Sequence, residues 1–295
     1  VTAEGLGARA LLARHGLRAK KSWGQNFLHD ERVVDRIVAC AAATPDDAVV
    51  EIGAGLGALT RKLAATGARV DAVERDPDLL PILREELGAL ANLRIIAGDA
   101  MAFDFGAAAA EAKRPLIVVG NLPYQITSPL LFRVVAAARA GEVVARAVFM
   151  VQREVAERIV APPGSKTYGR LSVMVQATAE ARIQFHVGAG AFLPPPAVTS
   201  TVFSLQPRPS RLGGVDPALF ASVVRAAFAG RRKMLRRSLE PSFGAALPEA
   251  LVAAGIEGTR RAEELSVDDF VRLSAALGER GALAPTTPDE DDGDA

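Results

Sequence analysis

One cysteine, three scattered histidines and no long apolar run set the outer bounds of this 295-residue chain. A lone cysteine, Cys40, cannot close an intrachain disulfide, which suits a reducing, intracellular setting. It follows the helix-like run VVDRIVA and reads as a small buried residue. His15, His29 and His186 lack metal-ligand spacing, so no metal is expected. A bilayer span needs roughly 18 or more consecutive apolar residues, and none occurs, so no membrane partner is expected. The N-terminal stretch scatters Arg9, Arg14, Arg18, Lys20 and Lys21 among apolar residues. It lacks the uninterrupted apolar region of a secretory signal. A cytoplasmic monomer is the expectation.

What is present is a large apolar fraction, 49%, enough for a sizeable core. The net charge is +1, but the last stretch, APTTPDEDDGDA, holds five acids and no base, which leaves a body of +6. A modestly basic body permits an anionic partner. The acidic tail, 283–295, reads as disordered, being charged and proline-containing with little to bury.

Strand-like and helix-like runs alternate through the first two thirds. DAVVEIGAGLGALTRKLAATG gives a strand, a glycine-rich turn and a helix. ARVDAVERDPDLLPILREEL, NLRIIAGDAMAFDF, RPLIVVGNLPYQITSPLLFRVVAAA and RAVFMVQREVAERIV repeat the logic. Such alternation predicts an α/β fold, a parallel Rossmann-like sheet covered by helices. Beyond about residue 180, RIQFHVGAGAFLPPPAVTSTVFSLQPRP reads as late strands, antiparallel in part, around a proline-rich loop. From Pro217 to about Leu277 the signals are helical, with Asp216 as a cap. The expected organisation is therefore a basic N-terminal segment (1–30), a sheet domain (31–210), a small C-terminal all-helical domain (211–282) and the tail.

Ligands of doubly wound sheets bind beyond the carboxyl ends of the strands. Four such ends carry distinctive residues. EIGAGLG places Gly53, Gly55 and Gly57 where a backbone must turn tightly and approach a ligand. Glu74, in VERD, follows Gly57 by 17 positions, near the spacing of an acid that accepts ribose hydroxyls. Asp99, in AGDA, is placed to accept a hydrogen bond from an adenine amine. These three ends fit NAD or S-adenosylmethionine equally. The fourth, GNLPY, separates them, because hydride transfer has no evident need for it. An exocyclic adenine amine is a poor nucleophile, its lone pair being delocalised into the ring. It needs acceptors that hold both N–H bonds while the nitrogen pyramidalises. The Asn121 side-chain oxygen and the Leu122 carbonyl can accept, Pro123 stiffens the turn, and Tyr124 offers a face for the base. The mechanism expected is positioning plus electrostatics on a base swung out of its surroundings.

KKSWGQNFLHD, EIGAGLGALT, VERD, GDA, GNLPY, REVAERIVAPPGSKTYGRLSV and FLPPPAVTS occur together and in this order. In this the chain resembles the small-subunit ribosomal RNA adenine dimethyltransferases, over roughly residues 11 to 280. The resemblance implies a Rossmann-like, S-adenosylmethionine-dependent enzyme. It implies dimethylation at N6 of two adjacent adenosines in the 3′-terminal hairpin loop of 16S rRNA, within the assembling 30S subunit. It also implies residue roles. Asn26 and Leu28, with Gln25 nearby, would close over the cofactor, and the Gly53 and Gly55 loop would contact its methionine part. Glu74 would hold the ribose hydroxyls and Asp99 the cofactor adenine. Asn121 would touch both cofactor and target amine, and Phe192 would stack on the target base opposite Tyr124. Trp23 departs from the family's more usual Leu-like residue.

Three rival classes share parts of this pattern. Large-subunit RNA adenine methyltransferases of the macrolide-resistance type share fold and chemistry, but their fourth motif usually reads Asn-Ile-Pro. Related mitochondrial transcription factors bind nucleic acid without required catalysis, and the intact NLPY argues against them. A small-molecule methyltransferase is disfavoured by the basic helical region. There Arg225, Arg231, Arg232, Lys233, Arg236 and Arg237 cluster around Gly230, with Phe228, Leu235 and Leu239 as the apolar side. Such a cluster neutralises phosphates and positions RNA without reading sequence.

Overall fold

A computed structural model describes residues 7–123, 126–138, 142–230 and 233–282. Tyr124, Arg231, Arg232 and the acidic tail lie outside these residues. The chain divides into two compact units, Val1–Ala156 with Ala181–Pro207, and Glu157–Glu180 with Arg208–Ala295.

The first unit opens with helix α1 (Ala8–Arg14) and a two-residue strand β1 (Phe27–Leu28). Helix α2 (Glu31–Ala41) starts where Asp30 accepts the backbone N–H groups of Arg32 and Val33. That capping satisfies donors the first turn would otherwise leave open. The sheet then builds from β2 (Ala48–Ile52), β3 (Arg69–Glu74), β4 (Leu93–Ala97), β5 (Leu116–Asn121) and β6 (Val144–Gln152). Helices α3 (Ala58–Ala65), α4 (Leu80–Leu87), α5 (Phe105–Ala112) and α6 (Thr127–Ala137) alternate with them, and α7 (Arg153–Val160) follows β6. After helix α8 (Arg170–Gln176) come β7 (Ala179–Val187), β8 (Phe192–Leu193) and β9 (Ser200–Pro207).

The seven-stranded sheet runs β4-β3-β2-β5-β6-β9-β7. Strands β2 to β6 are parallel to their neighbours, and β9 is antiparallel to β6. The α/β expectation, including antiparallel late strands, therefore holds. Alternate strand residues face opposite sides. Val49, Val70, Ile117, Val119, Val148 and Val202 pack against Ile37 of α2 and Leu63 of α3 in one core cluster. Ala72, two residues along from Val70 and so on the same face, packs with Leu83 and Leu87 of α4.

The order places β2 between β3 and β5, so the chain builds outward from β2 through β3 and β4 on one side and then through β5 and β6 on the other. That reversal opens a crevice beyond the carboxyl ends of β2 and β5. Two glycines shape it. Gly57 has φ +83°, and a Cβ there would lie 2.6 Å from Leu87 Cδ1, so only glycine lets α3 start against α4. At Gly120 a Cβ would lie 2.7 Å from the Ile52 carbonyl oxygen, so its absence keeps β5 close to β2 at the crevice.

The second unit contains α8 and the helices α9 (Pro217–Phe228), α10 (Leu235–Phe243), α11 (Leu247–Ala254) and α12 (Val267–Gly278). Asp216 caps α9 by accepting the Ala218 N–H, as the sequence suggested. Leu235 and Leu239 are fully buried in its core, and Phe228 packs against that core. Residues 157–180 group here, whereas the sequence reading assigned them to the sheet domain. Their apolar residues, Ala161, Tyr168, Val173 and Ala177, share one cluster with Leu219, Phe220 and Val223 of α9. No helix among the described residues is long and apolar enough to cross a membrane.

Candidate active site

The crevice at the ends of β2, β3 and β5 is one cleft within the first unit. Its walls include Gln25, Asn26, Leu28, Gly53, Gly55, Glu74, Asp99, Asn121, Leu122, Pro123 and Phe192. The structure thus brings together every described residue that the sequence reading put at the cofactor or the target amine. Of the basic cluster, Arg225, Lys233, Arg236 and Arg237 belong to the second unit.

Each wall is held by identifiable bonds. Glu74 terminates β3 and is 8% exposed. Its Oε2 accepts the Gly55 N–H and its Oε1 the Asp76 N–H, both at 2.7 Å. The carboxylate thereby staples the glycine loop to the end of the next strand. Burial pushes its pKa up, and the backbone donors of Asp76, Gly55 and Arg75 only partly oppose this. The Gly55 and Asp76 N–H groups use two of a carboxylate's about four lone-pair sites, which leaves capacity for a ligand's hydroxyls.

Asp99 caps the short turn after β4, its Oδ1 accepting the Met101 N–H at 2.8 Å. Its Oδ2 lies 3.2 Å from the Arg75 guanidinium. The Arg75 guanidinium also lies over the Trp23 ring, 4.5 Å from its centroid, with Lys20 Nζ 4.9 Å from that same ring. Trp23 is therefore a wall of the cleft gripped by two cations.

The Asn121-Leu122-Pro123 turn is oriented from an N-terminal strap, residues 20–26, that leads into β1. Asn121 Nδ2 donates to the Asn26 carbonyl at 3.2 Å, which leaves Oδ1 as the accepting end of the amide. Leu122 is buried, and its N–H donates to the Met150 carbonyl at 3.0 Å. The Pro123 carbonyl accepts the Thr127 hydroxyl at 3.0 Å and so fixes the start of α6.

The strap itself is clamped by Asp76, a carboxylate 1% exposed. It accepts Lys20 Nζ and Gln25 Nε2, each at 2.6 Å. Burial pushes the Asp76 pKa up, but the bonds from Lys20, the Asp78 N–H and Gln25 outweigh it and hold it below the usual range. Gln25 Oε1 accepts the Lys20 N–H at 2.9 Å, so both ends of this amide are used within the protein. Gln25 is built to hold the strap, a role distinct from the ligand contact expected beside it. Strand β1 then pairs antiparallel with β8, Leu28 opposite Phe192. Phe192 is 3% exposed and belongs both to the core cluster and to the cleft wall.

Glu51, which lines the cleft, and Asp76 and Gly120, which shape it from behind, had no role assigned from sequence. Glu51 carried a signal, an acid inside the apolar run VVEI. In the second unit Lys233, Arg236 and Arg237 are exposed, and Arg225 is partly buried on α9. Arg236 and Arg237 stand in the first turn of α10, where positive charge opposes the helix dipole. The backbone N–H groups there are already taken, Leu235 by the Arg260 carbonyl and Arg236 by the Gly258 carbonyl. Among the described residues no group of three or more His, Cys, Asp or Glu is placed to hold a metal.

A switch-point cleft, a buried acid ending the second sheet strand, an acid after the third and an Asn-Leu-Pro turn after the next define a Rossmann-like, S-adenosylmethionine-dependent methyltransferase. A sequence model described as ribosomal RNA adenine dimethylase matches residues 16–279, so the chain belongs to that family. The chain is similar to ribosomal RNA small subunit methyltransferase A of Anaeromyxobacter sp. (strain K), 48% identical over 92% of this chain and 97% of the relative. The same-named protein of Myxococcus xanthus is 46% identical over 95% and 97%. Among solved structures, the 23S rRNA methyltransferase ErmE superposes with a TM-score of 0.65 at 28% identity, covering 86% of this chain and all of that one. A dimethyladenosine transferase from Plasmodium falciparum gives 0.71 at 24% identity over 87% and 98%, which speaks to the fold.

Proposed function

We propose that this protein dimethylates N6 of two adjacent adenosines in the 3′-terminal hairpin loop of 16S rRNA, within the assembling small subunit. It does so in the cytoplasm and as a monomer. The observation that carries the chemistry is the convergence of Glu74, Asp99 and Asn121 on one cleft. The choice of the small-subunit substrate rests on similarity, 48% to the small-subunit relative against 28% to the 23S enzyme.

The donor set suits an adenosyl amino acid. Glu74 offers spare lone pairs to a ribose diol, Asp99 accepts an adenine amine, and the Gly53–Gly55 loop presents backbone without side chains. When bound, S-adenosylmethionine supplies the electrophilic methyl group. The chain's own residues do the rest by placement. Asn121 Oδ1, aimed by the bond to Asn26, accepts one N–H of the target amine. The Leu122 carbonyl accepts the other, so the nitrogen lone pair is drawn out of conjugation. Phe192 and Tyr124 provide the faces between which the base is held. Burial of the cleft walls excludes water and strengthens each of these bonds. Lys233, Arg236 and Arg237, with Arg225, Arg231 and Arg232, neutralise RNA phosphates through their side chains, since the helix N–H groups are taken.

Asn121→Ala tests the cradle. Loss of one preorganised polar contact should lower the transfer rate by ~10²–10³-fold, on the scale of other transition-state donors. Affinity for the small subunit should stay unchanged. Normal methylation by the variant would refute the cradle.

A further inference from the structure

Residues 283–295 lie beyond the segment that the family model matches, which ends at residue 279, so the family's chemistry gives them no task. They begin with an apolar, proline-spaced lead, Leu-Ala-Pro-Thr-Thr-Pro, and continue with the acids Asp289, Glu290, Asp291, Asp292 and Asp294. The second unit offers a surface that matches both halves in order. A groove between α10 and α11 is lined by Leu247, Leu251, Val252 and Ile256 and by Arg236 and Arg237. Val252 is 81% exposed, the most open large apolar side chain among the described residues. The apolar and basic parts are contiguous, because Arg236 and Leu251 meet at Gly258, where an added Cβ would lie 3.2 Å from both side chains. The chain also arrives beside this groove. Helix α12 packs along α11, Arg280 Nε lies 3.6 Å from Glu249 Oε2 on α11, and Ala282 packs against the unit's core. Residues 283–288 extended span up to ~20 Å, against ~12 Å for the whole of α11, so the acids that follow reach the start of α10. The cations there are unpaired. Elsewhere in the unit arginines meet acids, Arg211 with Asp268, Arg260 with Glu264, Arg272 with Asp269 and Arg280 with Glu249. Among the described residues Lys233, Arg236 and Arg237 form no ion pair, although Glu240 and Glu257 also line the groove. Arg236 and Arg237 stand, moreover, at the positive end of the α10 dipole.

We propose that residues 283–295 dock in this groove as an intramolecular mimic of RNA, with 283–288 on its apolar part and the acids on Arg236, Arg237 and Lys233. The inference rests on the RNA role proposed for that basic cluster. RNA phosphates and the acidic segment then compete for the same cations, and RNA must displace the segment to bind. A tethered competitor acts at roughly millimolar effective concentration, although each exposed ion pair contributes little singly. An RNA held only through its phosphates loses most from this competition, so the segment suppresses non-specific binding.

The test is fluorescence anisotropy with a short labelled oligouridylate, which carries phosphates without the cognate hairpin. Three proteins are compared: the full chain, a chain stopped after Ala282, and the full chain with Asp289→Asn, Glu290→Gln, Asp291→Asn, Asp292→Asn and Asp294→Asn. At about 50 mM KCl both variants should bind the probe roughly tenfold tighter than the full chain, and the gap should close at about 0.5 M as salt screens the acidic segment. Removing the segment should also shift the amide resonances of Arg236, Arg237, Leu251 and Val252. Equal affinities of all three proteins at low salt, or unmoved resonances, would overturn the docking. Tightening by the shortened chain alone would overturn the mimicry, by making bulk and not charge the cause. Arg236→Ala with Arg237→Ala in the shortened chain keeps the two readings apart. No loss of probe affinity in that variant would overturn the RNA role of the cluster, and the mimicry with it. A clear loss there, with the three tail forms binding alike, would overturn the docked segment and leave the RNA role standing.

Discussion

Replacing Glu74 by alanine removes the group that ties the glycine loop to the end of β3. Its two oxygens hold the Gly55 and Asp76 N–H groups at 2.7 Å, and the same carboxylate is the proposed acceptor of the ribose hydroxyls. A hydrogen bond to an ionised group contributes ~1.5–3 kcal/mol net. Two such bonds to a diol, taken at the lower value, amount to ~3 kcal/mol, or roughly 150-fold in Kd. Release of the glycine loop adds to this loss. Fold stability should change less. Two N–H groups lose an acceptor, but a carboxylate that burial disfavours is removed as well. Calorimetric titration with S-adenosylhomocysteine reads the affinity, thermal unfolding reads the fold, and filter binding of 16S rRNA reads the partner. The expected pattern is a cofactor Kd weakened ~100-fold or more with RNA affinity unchanged. A folded variant that binds the nucleoside within about threefold of wild type would take Glu74 out of the site.

Other consequences follow from the same geometry. Gly57→Ala sets a Cβ 2.6 Å from Leu87 Cδ1 at a φ of +83°. Left-handed strain and overpacking should together cost at least ~2 kcal/mol, measured by urea unfolding. Glu51 holds a proton up to about pH 8 when folded, against an unfolded value of 4.5. The native state therefore binds the extra proton in that window, and its stability falls as pH rises through it, by up to ~1.4 kcal/mol per unit. Glu51→Gln should flatten that slope, so its advantage in thermal unfolding should be absent near pH 5 and grow toward pH 8. Arg236→Ala with Arg237→Ala should weaken 16S rRNA binding and reduce its salt dependence. The nucleoside Kd of that variant should not move.

Much of the site was legible because each strand end announces itself locally. An apolar run followed by glycines, by an acid or by Asn-Leu-Pro needs no tertiary information to be placed at a sheet's carboxyl edge. Asp216 and the buried Leu235 and Leu239 were readable for the same reason, since capping and helical spacing are local. Pairings between distant segments were not readable. Gln25 appeared as a neighbour of the ligand, but its partner Asp76 lies 51 residues away, and only their bond shows that it clamps the strap. Residues 157–180 join the helical unit because Tyr168 and Val173 meet α9, a contact no local pattern encodes. Gly120 matters through the Ile52 carbonyl on a neighbouring strand, which strand order alone brings near. Glu51 was visible as an acid in an apolar run, but only the fold shows that burial raises its pKa.

One experiment addresses the substrate most directly. The protein is offered undermethylated small subunits, naked 16S RNA and naked 23S RNA in parallel, each with radiolabelled S-adenosylmethionine, and the labelled bases are mapped. The account predicts label on two adjacent adenines of the small-subunit particle. Label confined to a single adenine of 23S RNA would contradict it.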